Sequence, residues 1–224
     1  MTALEKYFPF WKQLSDSQQQ RLSQAAVERR AAKGTQLHNG TAGCEGLLIV
    51  QSGRLRAFLF SDEGREITLY RLFERDICLF SASCMIRSIQ FDISVEAEED
   101  TVFYQISAQI YAQLMKESAA VANYTNELTA ARFSDVMWLL DQVLYKRLDS
   151  RLAAFLLEEN HLNNGEGKLT LTHEEIARHL GSAREVITRM LKYFQAEGLV
   201  TLSRGTVLIS DIKGLTALAE DSIK

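Results

Sequence analysis

The stretch from Leu169 to Asp211 constrains the fold more than any other part of the chain, because it carries explicit start and stop signals for short helices. Thr172 and Glu175 form the pattern of a capping box, in which each side chain satisfies a free backbone N–H at the start of a helix. This pattern predicts that a helix begins at His173. Gly181, at the end of a short apolar stripe, predicts that the helix ends after about two turns.

A second start signal follows that glycine immediately. Ser182 and Glu185 repeat the spacing of a capping box and predict a second helix. Two short helices joined by a tight glycine turn are typical of a helix-turn-helix. The second helix should end at Gly198, and Leu199–Leu202 with Val207–Ile209 then predict a β-hairpin around a turn.

The second helix has one polar side and one apolar side. At 3.6 residues per turn its polar side chains fall within an arc of about 140°, and they are Arg184, Glu185, Thr188, Arg189 and Lys192. The opposite side predicts the buried face, made of Val186, Ile187, Met190, Leu191 and Phe194. Arginine and glutamate can recognise guanine and cytosine edges in the major groove of DNA. The alternative is a solvated face on a small helical domain, with Glu185 acting only as a cap.

The run EIARHLGSAREVITRMLKYFQAEGLV, followed by RGTVLISD, resembles the winged helix-turn-helix of the CRP/FNR family of bacterial transcription regulators. The resemblance implies base reading by Arg184, Glu185 and Arg189, with Thr188 at a position where the oxygen-sensing branch reads a base through serine. It implies phosphate contacts from Thr172 and Ser182, and from His173 at a position where the family has a basic residue. Lys192 on the polar side of the second helix and Arg204 in the hairpin turn are further candidates for phosphate contacts, and a solvated surface charge is the alternative for Arg204. The expected operator is a palindrome with GTGA-like half-sites, and TTGA-like half-sites are the alternative.

The first part of the chain changes from helical to strand-like patterning. Residues 1–30 predict helix, with Ser15–Gln18 capping a second segment. Glycine-punctuated runs rich in β-forming residues follow, and they are Leu47–Val50, Leu55–Phe60, Ile67–Leu72, Ile93–Ala97 and Val102–Ile106. Asp62-Glu63-Gly64 predicts a hairpin turn. Short strands at this spacing predict an antiparallel β-roll, or jelly roll, within an α+β chain.

This segment resembles the β-roll sensor domain of the same family, and the resemblance rests on Gly34, Gly40, the run IVQSGRLRAF around Gly53, the turn SDEGREITL, and Asp76. The cyclic-nucleotide pattern, however, requires Gly-Glu where this chain has Leu79 and Phe80, and Arg-Ser where it has Phe91 and Asp92. Without that arginine a cyclic phosphate has no cationic partner. The expected effector pocket, made of Ile77, Cys78, Leu79, Phe80, Phe91 and Asp92, therefore disfavours cyclic AMP. It predicts an uncharged, largely apolar ligand, haem, or a pocket filled by its own side chains.

Three cysteines leave the redox chemistry open. The oxygen-sensing branch needs four ligating cysteines, most of them before the β-roll, whereas Cys44 is the first cysteine here. The pattern therefore disfavours an iron–sulfur cluster, and a role as small apolar filler is the simpler interpretation of these cysteines. Haem held by His38, Cys78 or Met85 stays open as an alternative.

A helical pattern returns after Ser107 and continues to about Tyr145. Apolar and small residues recur every seven positions at Ala122, Thr129, Val136 and Val143, a spacing that resembles one strand of a coiled coil. With the family resemblance, this pattern predicts a homodimer interface made of Thr129, Phe133, Val136, Leu140 and Val143. A lone helix packed on its own β-roll is the alternative. The expected division is a β-roll domain (1–114), a dimerisation helix (115–145) and a DNA-binding domain (146–224).

Composition limits the classes of protein to which the chain could belong. The 224 residues are 46% hydrophobic and 24% charged, which are values of a globular protein. Lys146–Lys224 contains eleven basic and eleven acidic residues, so the arrangement on one helix, rather than bulk charge, indicates nucleic acid. The sequence has neither a long apolar run nor the layout of a signal peptide, and its number of cysteines is odd. We therefore expect a cytoplasmic protein without membrane contact.

The sequence therefore predicts a dimeric, sequence-specific transcription regulator that is not an enzyme, with operator DNA, RNA polymerase and an unknown effector as partners. One rival is a β-roll interaction or ligand-binding module that does not bind an operator. Another is a cupin-like metalloenzyme, which needs two or more histidines inside the roll. His38 is the single histidine before Tyr145, which argues against that enzyme.

Overall fold

The computed structural model describes residues 4–39, 46–79, 81–82 and 93–222. These residues form two compact units. The first comprises Met1–Phe60 and Leu69–Val136, and the second comprises Ser61–Thr68 and Met137–Lys224. Within the described residues, no helix is both long enough and apolar enough to cross a bilayer.

Two four-stranded antiparallel sheets form the centre of the first unit. The elements in chain order are α1 (Asp16–Ala25), β1 (Ala26–Ala31), β2 (Gln36–His38), β3 (Leu47–Ser52), β4 (Leu55–Phe60), β5 (Glu66–Leu72), β6 (Ile77–Cys78), β7 (Ser94–Ala97), β8 (Thr101–Ile106), α2 (Ala108–Glu117) and α3 (Ala119–Tyr145). One sheet has the order β1-β8-β3-β6 and the other β2-β7-β4-β5. The predicted antiparallel β-roll is confirmed, as is the long helix that ends at Tyr145.

The prediction of helix throughout residues 1–30 is wrong at both ends. Among the described residues, 4–10 contain turns and Trp11–Gln13 is a short 3-10 helix. Helix α1 begins as predicted, since Ser15 and Gln18 form a complete capping box. Ala26–Ala31, however, is a strand that pairs antiparallel with β8 over its whole length. The pairing supplies partners for the backbone groups of this segment, which overrides its local helical tendency.

The sheet that contains β4 carries a buried ion pair that hydrophobic patterning did not indicate. The Arg56 guanidinium lies 2.7 Å from a Glu96 carboxylate oxygen on the neighbouring strand β7. The Arg56 side chain is only 2% exposed, and its guanidinium stacks over the Phe58 ring at 4.1 Å from the ring centre. A buried arginine needs such partners because its desolvation is costly.

The second unit is a small helical domain with a three-stranded antiparallel sheet of order β10-β11-β9. From α3 onward its elements are α4 (Leu148–Leu162), β9 (Lys168–Leu169), α5 (His173–Leu180), α6 (Arg184–Ala196), β10 (Val200–Ser203), β11 (Thr206–Ile209) and α7 (Ile212–Ala219). Its core combines Leu156 of α4, Ile176 of α5, Ile187 and Phe194 of α6, and Val207 of β11. The predicted winged helix-turn-helix is confirmed, with β9 added to the hairpin.

Candidate nucleic-acid interface and effector region

Helix α5 begins and ends where its sequence signals predict. The backbone N–H of Glu175 donates to the Thr172 hydroxyl at 3.1 Å, and the N–H of Thr172 donates to the Glu175 carboxylate at 2.7 Å. Gly181 ends the helix with φ of 65°, a left-handed conformation that glycine adopts without strain. The first residue of the helix, His173, is thereby placed next to α6.

The predicted second capping box is wrong. Ala183, rather than Ser182, is the N-cap of α6, and no side chain caps this helix. The N–H of Ser182 donates to the Ala177 carbonyl at 3.0 Å, so Ser182 still belongs to the turn that closes α5. Glu185 lies in the first turn of α6 with its side chain exposed.

Helix α6 has the two faces that its sequence predicts. Ile187, Leu191 and Phe194 are completely buried in the core. The side chains of the opposite face are exposed or, for Thr188, half-buried, and the exposed ones are Arg184, Glu185, Arg189 and Lys192. The structure therefore presents all five predicted polar residues on one helix. Exposed charged groups on one face suit recognition of base edges and phosphates.

A contact between the two helices joins two of the candidate residues. His173 Nδ1 lies 2.9 Å from the Thr188 hydroxyl oxygen, and that hydroxyl donates to the Arg184 carbonyl at 2.8 Å. Burial, followed by the positive charges of Arg184 and Lys192, lowers the pKa of the His173 imidazole below its ordinary value of 6.5. The neutral imidazole is therefore favoured in the free protein at neutral pH.

The hairpin places Arg204 in the turn between β10 and β11, where it is exposed. Gly205 follows it with φ of 68°. The Leu202 backbone N–H donates to the Gln195 side-chain oxygen at 3.2 Å, which fixes the start of the hairpin on the end of α6. Sequence reasoning missed Gln195, because an exposed glutamine at the end of a helix carries no distinctive signal.

The other end of α5 contacts residues that are far away in sequence. Thr68 and His179 are hydrogen-bonded at 2.9 Å, and Ile67 forms an isolated β-bridge with Leu180. Arg178 lies 3.7 Å from the Glu66 carboxylate. Within the second unit, Ser61–Thr68 thus holds the end of α5 that lies away from His173.

The described residues of the expected effector pocket are Ile77, Cys78 and Leu79, and all three are at most 1% exposed. Ile77 and Leu79 belong to the hydrophobic core. Phe80, Phe91 and Asp92 lie outside the described residues, as do Cys44, Cys84 and Met85.

One arginine of α3 approaches the strand that precedes this region. Arg132 lies 3.0 Å from the Asp135 carboxylate and 3.9 Å from that of Asp76. Its guanidinium stacks over the Tyr70 ring, 4.6 Å from the ring centre. Its charge is therefore compensated by two carboxylates, so it is a poor substitute for an arginine that would pair with a phosphate.

Helix α3 exposes apolar side chains at the predicted interface positions. Phe133 is 65% exposed, Leu140 45% and Val143 43%, whereas Thr129 and Val136 are half-buried. The Thr129 hydroxyl donates to the Thr125 carbonyl within the helix. Large apolar side chains in series on one helix are unfavourable in water. Their exposure agrees with the expected interface, which stays a prediction.

Histidine, cysteine and acidic side chains do not come together as a metal-binding group of three or more anywhere in the described part of the chain. His38 and Cys78, two of the residues considered for haem, are buried.

Known proteins resemble both parts of the chain. The family model of the cyclic nucleotide-binding domain matches residues 28–118, and that of the Crp-like helix-turn-helix domain matches residues 150–218. The cyclic AMP receptor protein of Thermus thermophilus is 30% identical over 176 residues, which cover 78% of this chain and 80% of that protein.

Solved structures show the same fold. A structure from Eubacterium rectale assigned to the Crp/Fnr family of transcriptional regulators has a TM-score of 0.94 and 57% identity, covering 96% of this chain and all of that one. The c-di-GMP-responsive regulator CLP of Xanthomonas campestris shares the fold, with a TM-score of 0.73 and 19% identity over 88% of this chain and all of that one. Together with the exposed face of α6, these similarities lead to one identification: the chain belongs to the CRP/FNR family of transcription regulators, with a helix-turn-helix DNA-binding domain.

Proposed function

We propose that this regulator is a homodimer that recognises a two-fold symmetric operator through the polar face of α6. The observation that carries the proposal is the exposure of Arg184, Glu185 and Arg189 on the side of α6 that lies opposite its buried residues. These side chains belong to the second helix of a helix-turn-helix, the element that enters the major groove in this motif. Their donors and acceptors match those of guanine and cytosine edges.

Phosphate contacts flank this face in the proposal. Lys192 and Arg204 are exposed cations in the second half of α6 and in the hairpin turn, and they suit contacts to the DNA backbone. The Thr172 hydroxyl already donates to the Glu175 carboxylate at 2.8 Å, so a phosphate would have to compete with that bond. Ser182 and His173 complete the proposed set. A neighbouring phosphate favours the protonated imidazole of His173, whose Nε2–H can then donate to the phosphate while Nδ1 keeps its contact with Thr188.

Dimerisation uses the apolar seam of α3, defined by Thr129, Phe133, Val136, Leu140 and Val143. Phe133, Leu140 and Val143 are substantially exposed in the single chain, and a second copy of α3 would cover them. A two-fold dimer places its recognition helices about one turn of DNA apart, so the operator should be an inverted repeat. In this arrangement residues 1–114 form the sensor, 115–145 the dimerisation helix and 146–224 the DNA-binding domain, which acts together with RNA polymerase.

The regulator responds to a signal other than a cyclic nucleotide bound in the usual way. The missing Gly-Glu and Arg-Ser pairs support this, and so does the burial of Ile77, Cys78 and Leu79. Effector binding would act as a population shift that changes how the long helices pair. Calorimetry with cyclic AMP and cyclic GMP tests the claim, and micromolar binding of either would contradict it. An absorption spectrum after purification without oxygen tests for haem.

Selection from random DNA tests the operator claim directly. The expected product is an inverted repeat with GTGA-like half-sites, or TTGA-like half-sites as the alternative. Arg184→Ala should relax the preference at one base pair, whereas Glu220→Ala, at an exposed residue outside α6 and the hairpin, should leave it unchanged. If no inverted repeat is enriched, the rival interpretation as a β-roll module without operator binding takes its place.

A further inference from the structure

The hydroxyl group of Thr188 has its single hydrogen committed to the protein backbone. It donates to the Arg184 carbonyl oxygen at 2.8 Å. A threonine hydroxyl has one hydrogen and two lone pairs, and a carbonyl oxygen can only accept. The second contact, with His173 Nδ1 at 2.9 Å, is compatible with this donation in the tautomer that carries its hydrogen on Nδ1, where the imidazole N–H donates to the hydroxyl oxygen. Consequently Thr188 has no hydrogen left for an acceptor on a base, such as thymine O4 or guanine N7.

The Nδ1–H tautomer of His173 is the one that satisfies both contacts of the Thr188 hydroxyl. The neutral ring carries its hydrogen on Nδ1 in this arrangement, and Nε2 has none. Burial lowers the pKa of His173, and the cationic groups of α6 that act on the ring, Arg184 and Lys192, lower it further. On α5 itself, Glu174 is exposed and the Glu175 carboxylate accepts from Thr172.

The same two contacts fix the orientation of the Thr188 side chain. Besides Cα, its β-carbon carries two heavy substituents, the hydroxyl oxygen and a methyl group, and a β-branched side chain has few rotamers in a helix. With the oxygen held between the Arg184 carbonyl and the His173 ring, the methyl group becomes the part that can face the groove. Thr188 lies about 40° from Arg184 around α6, inside the polar arc.

We infer that Thr188 contributes to operator specificity through its methyl group, which contacts the C5 methyl of a thymine, and that His173 is the positioning residue that holds it in this orientation. The inference rests on the proposed operator-reading role of α6. The thymine methyl is the apolar group that base pairs present in the major groove, and contact with a threonine methyl is an established way to recognise it. The hydroxyl oxygen retains one lone pair, so acceptance of a bond from an adenine or cytosine amine is the competing mode.

Deoxyuridine substitution separates the two modes, because deoxyuridine lacks only the C5 methyl of thymidine. Each thymine of the selected operator is replaced singly, and affinity is measured by fluorescence anisotropy. One position should lose about fourfold in the wild type, the value of one buried methyl group at about 0.8 kcal/mol. The ratio to compare is the affinity for the thymine operator divided by that for the uracil operator at this position. Thr188→Val keeps the methyl and should keep this thymine-to-uracil affinity ratio. Thr188→Ser keeps the hydroxyl and should reduce the ratio to about one.

Two variants of His173 test its positioning role. His173→Ala removes the donor and should lower the ratio at that position, whereas His173→Asn supplies an amide N–H in its place and should preserve it. A purely structural role would change overall affinity without changing the ratio. The inference would be overturned if Thr188→Ser kept the thymine-to-uracil affinity ratio while Thr188→Val lost it. It would also be overturned if the wild type bound thymine and uracil equally well at every position. Both results leave operator selection intact, whereas failure of the wild type to select an operator contradicts the proposed function itself.

Discussion

Arg151 of α4 donates a hydrogen bond from its guanidinium to the backbone carbonyl of Leu180, the last residue of α5, at 2.8 Å. Carbonyl groups at the end of a helix lack partners within the helix, and a cation there also interacts favourably with the helix dipole. Burial lowers the pKa of the Arg151 guanidinium, because charge is less stable away from water. The bond therefore connects α4 to the point where the helix-turn-helix changes direction.

Arg151→Met should reduce the free energy of unfolding by about 1–3 kcal/mol, since it removes a charge-assisted hydrogen bond and leaves a carbonyl without that partner. Urea denaturation measures the change. Arg204→Met, at an exposed arginine of the hairpin turn, is the matched control and should change stability by no more than about 0.5 kcal/mol. Equal effects of the two substitutions would mean that the bond to Leu180 does not stabilise the domain.

Gly181→Ala should destabilise the protein for two separate reasons. Gly181 has φ of 65°, which costs a residue with a side chain about 1–3 kcal/mol. A β-carbon there would also lie 2.9 Å from the Ile67 side chain. Gly205→Ala separates these causes, because Gly205 has φ of 68° and a β-carbon added there would meet open space, with no contact within 4 Å. Thermal unfolding should show a larger loss for Gly181→Ala, and equal losses would exclude the contact with Ile67 as a cause.

Leu140→Glu should yield folded monomers with weakened operator binding, because a charge in an apolar helix seam is costly to bury. Analytical ultracentrifugation measures the assembly, and circular dichroism checks the fold. Ser134→Glu is the control. Ser134 is exposed and shares its heptad position with Glu127 and Asp141, so this variant should remain dimeric. A wild type that is monomeric with and without operator DNA would contradict the dimer proposal.

Arg189→Ala and Arg204→Ala should weaken DNA binding in different ways. Loss of a base-reading arginine should cost about 1–3 kcal/mol on the selected operator and relax the preference at one base pair. Loss of a phosphate contact should weaken binding to all sequences alike and reduce the slope of log affinity against log salt by about one. Titrations at several salt concentrations, on operator and on unrelated DNA, distinguish the two patterns. A sequence-dependent loss in Arg204→Ala would reverse the assignment of that residue.

The lowered pKa of His173 should make stability depend on pH below about 6.5. Between the folded pKa and the ordinary value of 6.5, the unfolded state binds more protons than the folded state, so stability rises with pH. The contribution of neutral His173 to the free energy of unfolding is therefore complete above about pH 6.5 and declines as the pH falls towards the folded pKa. His173→Asn retains a donor but does not titrate, so the stability difference between wild type and variant should decrease on acidification. A difference that is constant from about pH 7.5 to pH 5 would rule out this linkage.

The sequence determined those parts of the site whose hydrogen bonds are local. The capping box of Thr172 and Glu175 spans three residues, and Gly181 adopts its left-handed conformation in place, so both ends of α5 are predictable. The two faces of α6 follow from helical periodicity, which needs no knowledge of the rest of the chain. The family resemblance adds the proposed roles of these residues, because the spacing of the motif matches that of the family.

Only the tertiary structure decided the features that depend on residues far apart in sequence. Ala26–Ala31 becomes a strand because β8, far along the chain, offers its backbone groups. The cap of α6 moves to Ala183 because Ser182 completes the turn of α5. His173 meets Thr188 because α5 and α6 cross over a shared core, and nothing local to either residue indicates that approach. Local patterns specify single elements, whereas packing and long-range pairing determine which side chains meet and which of their atoms remain available for DNA.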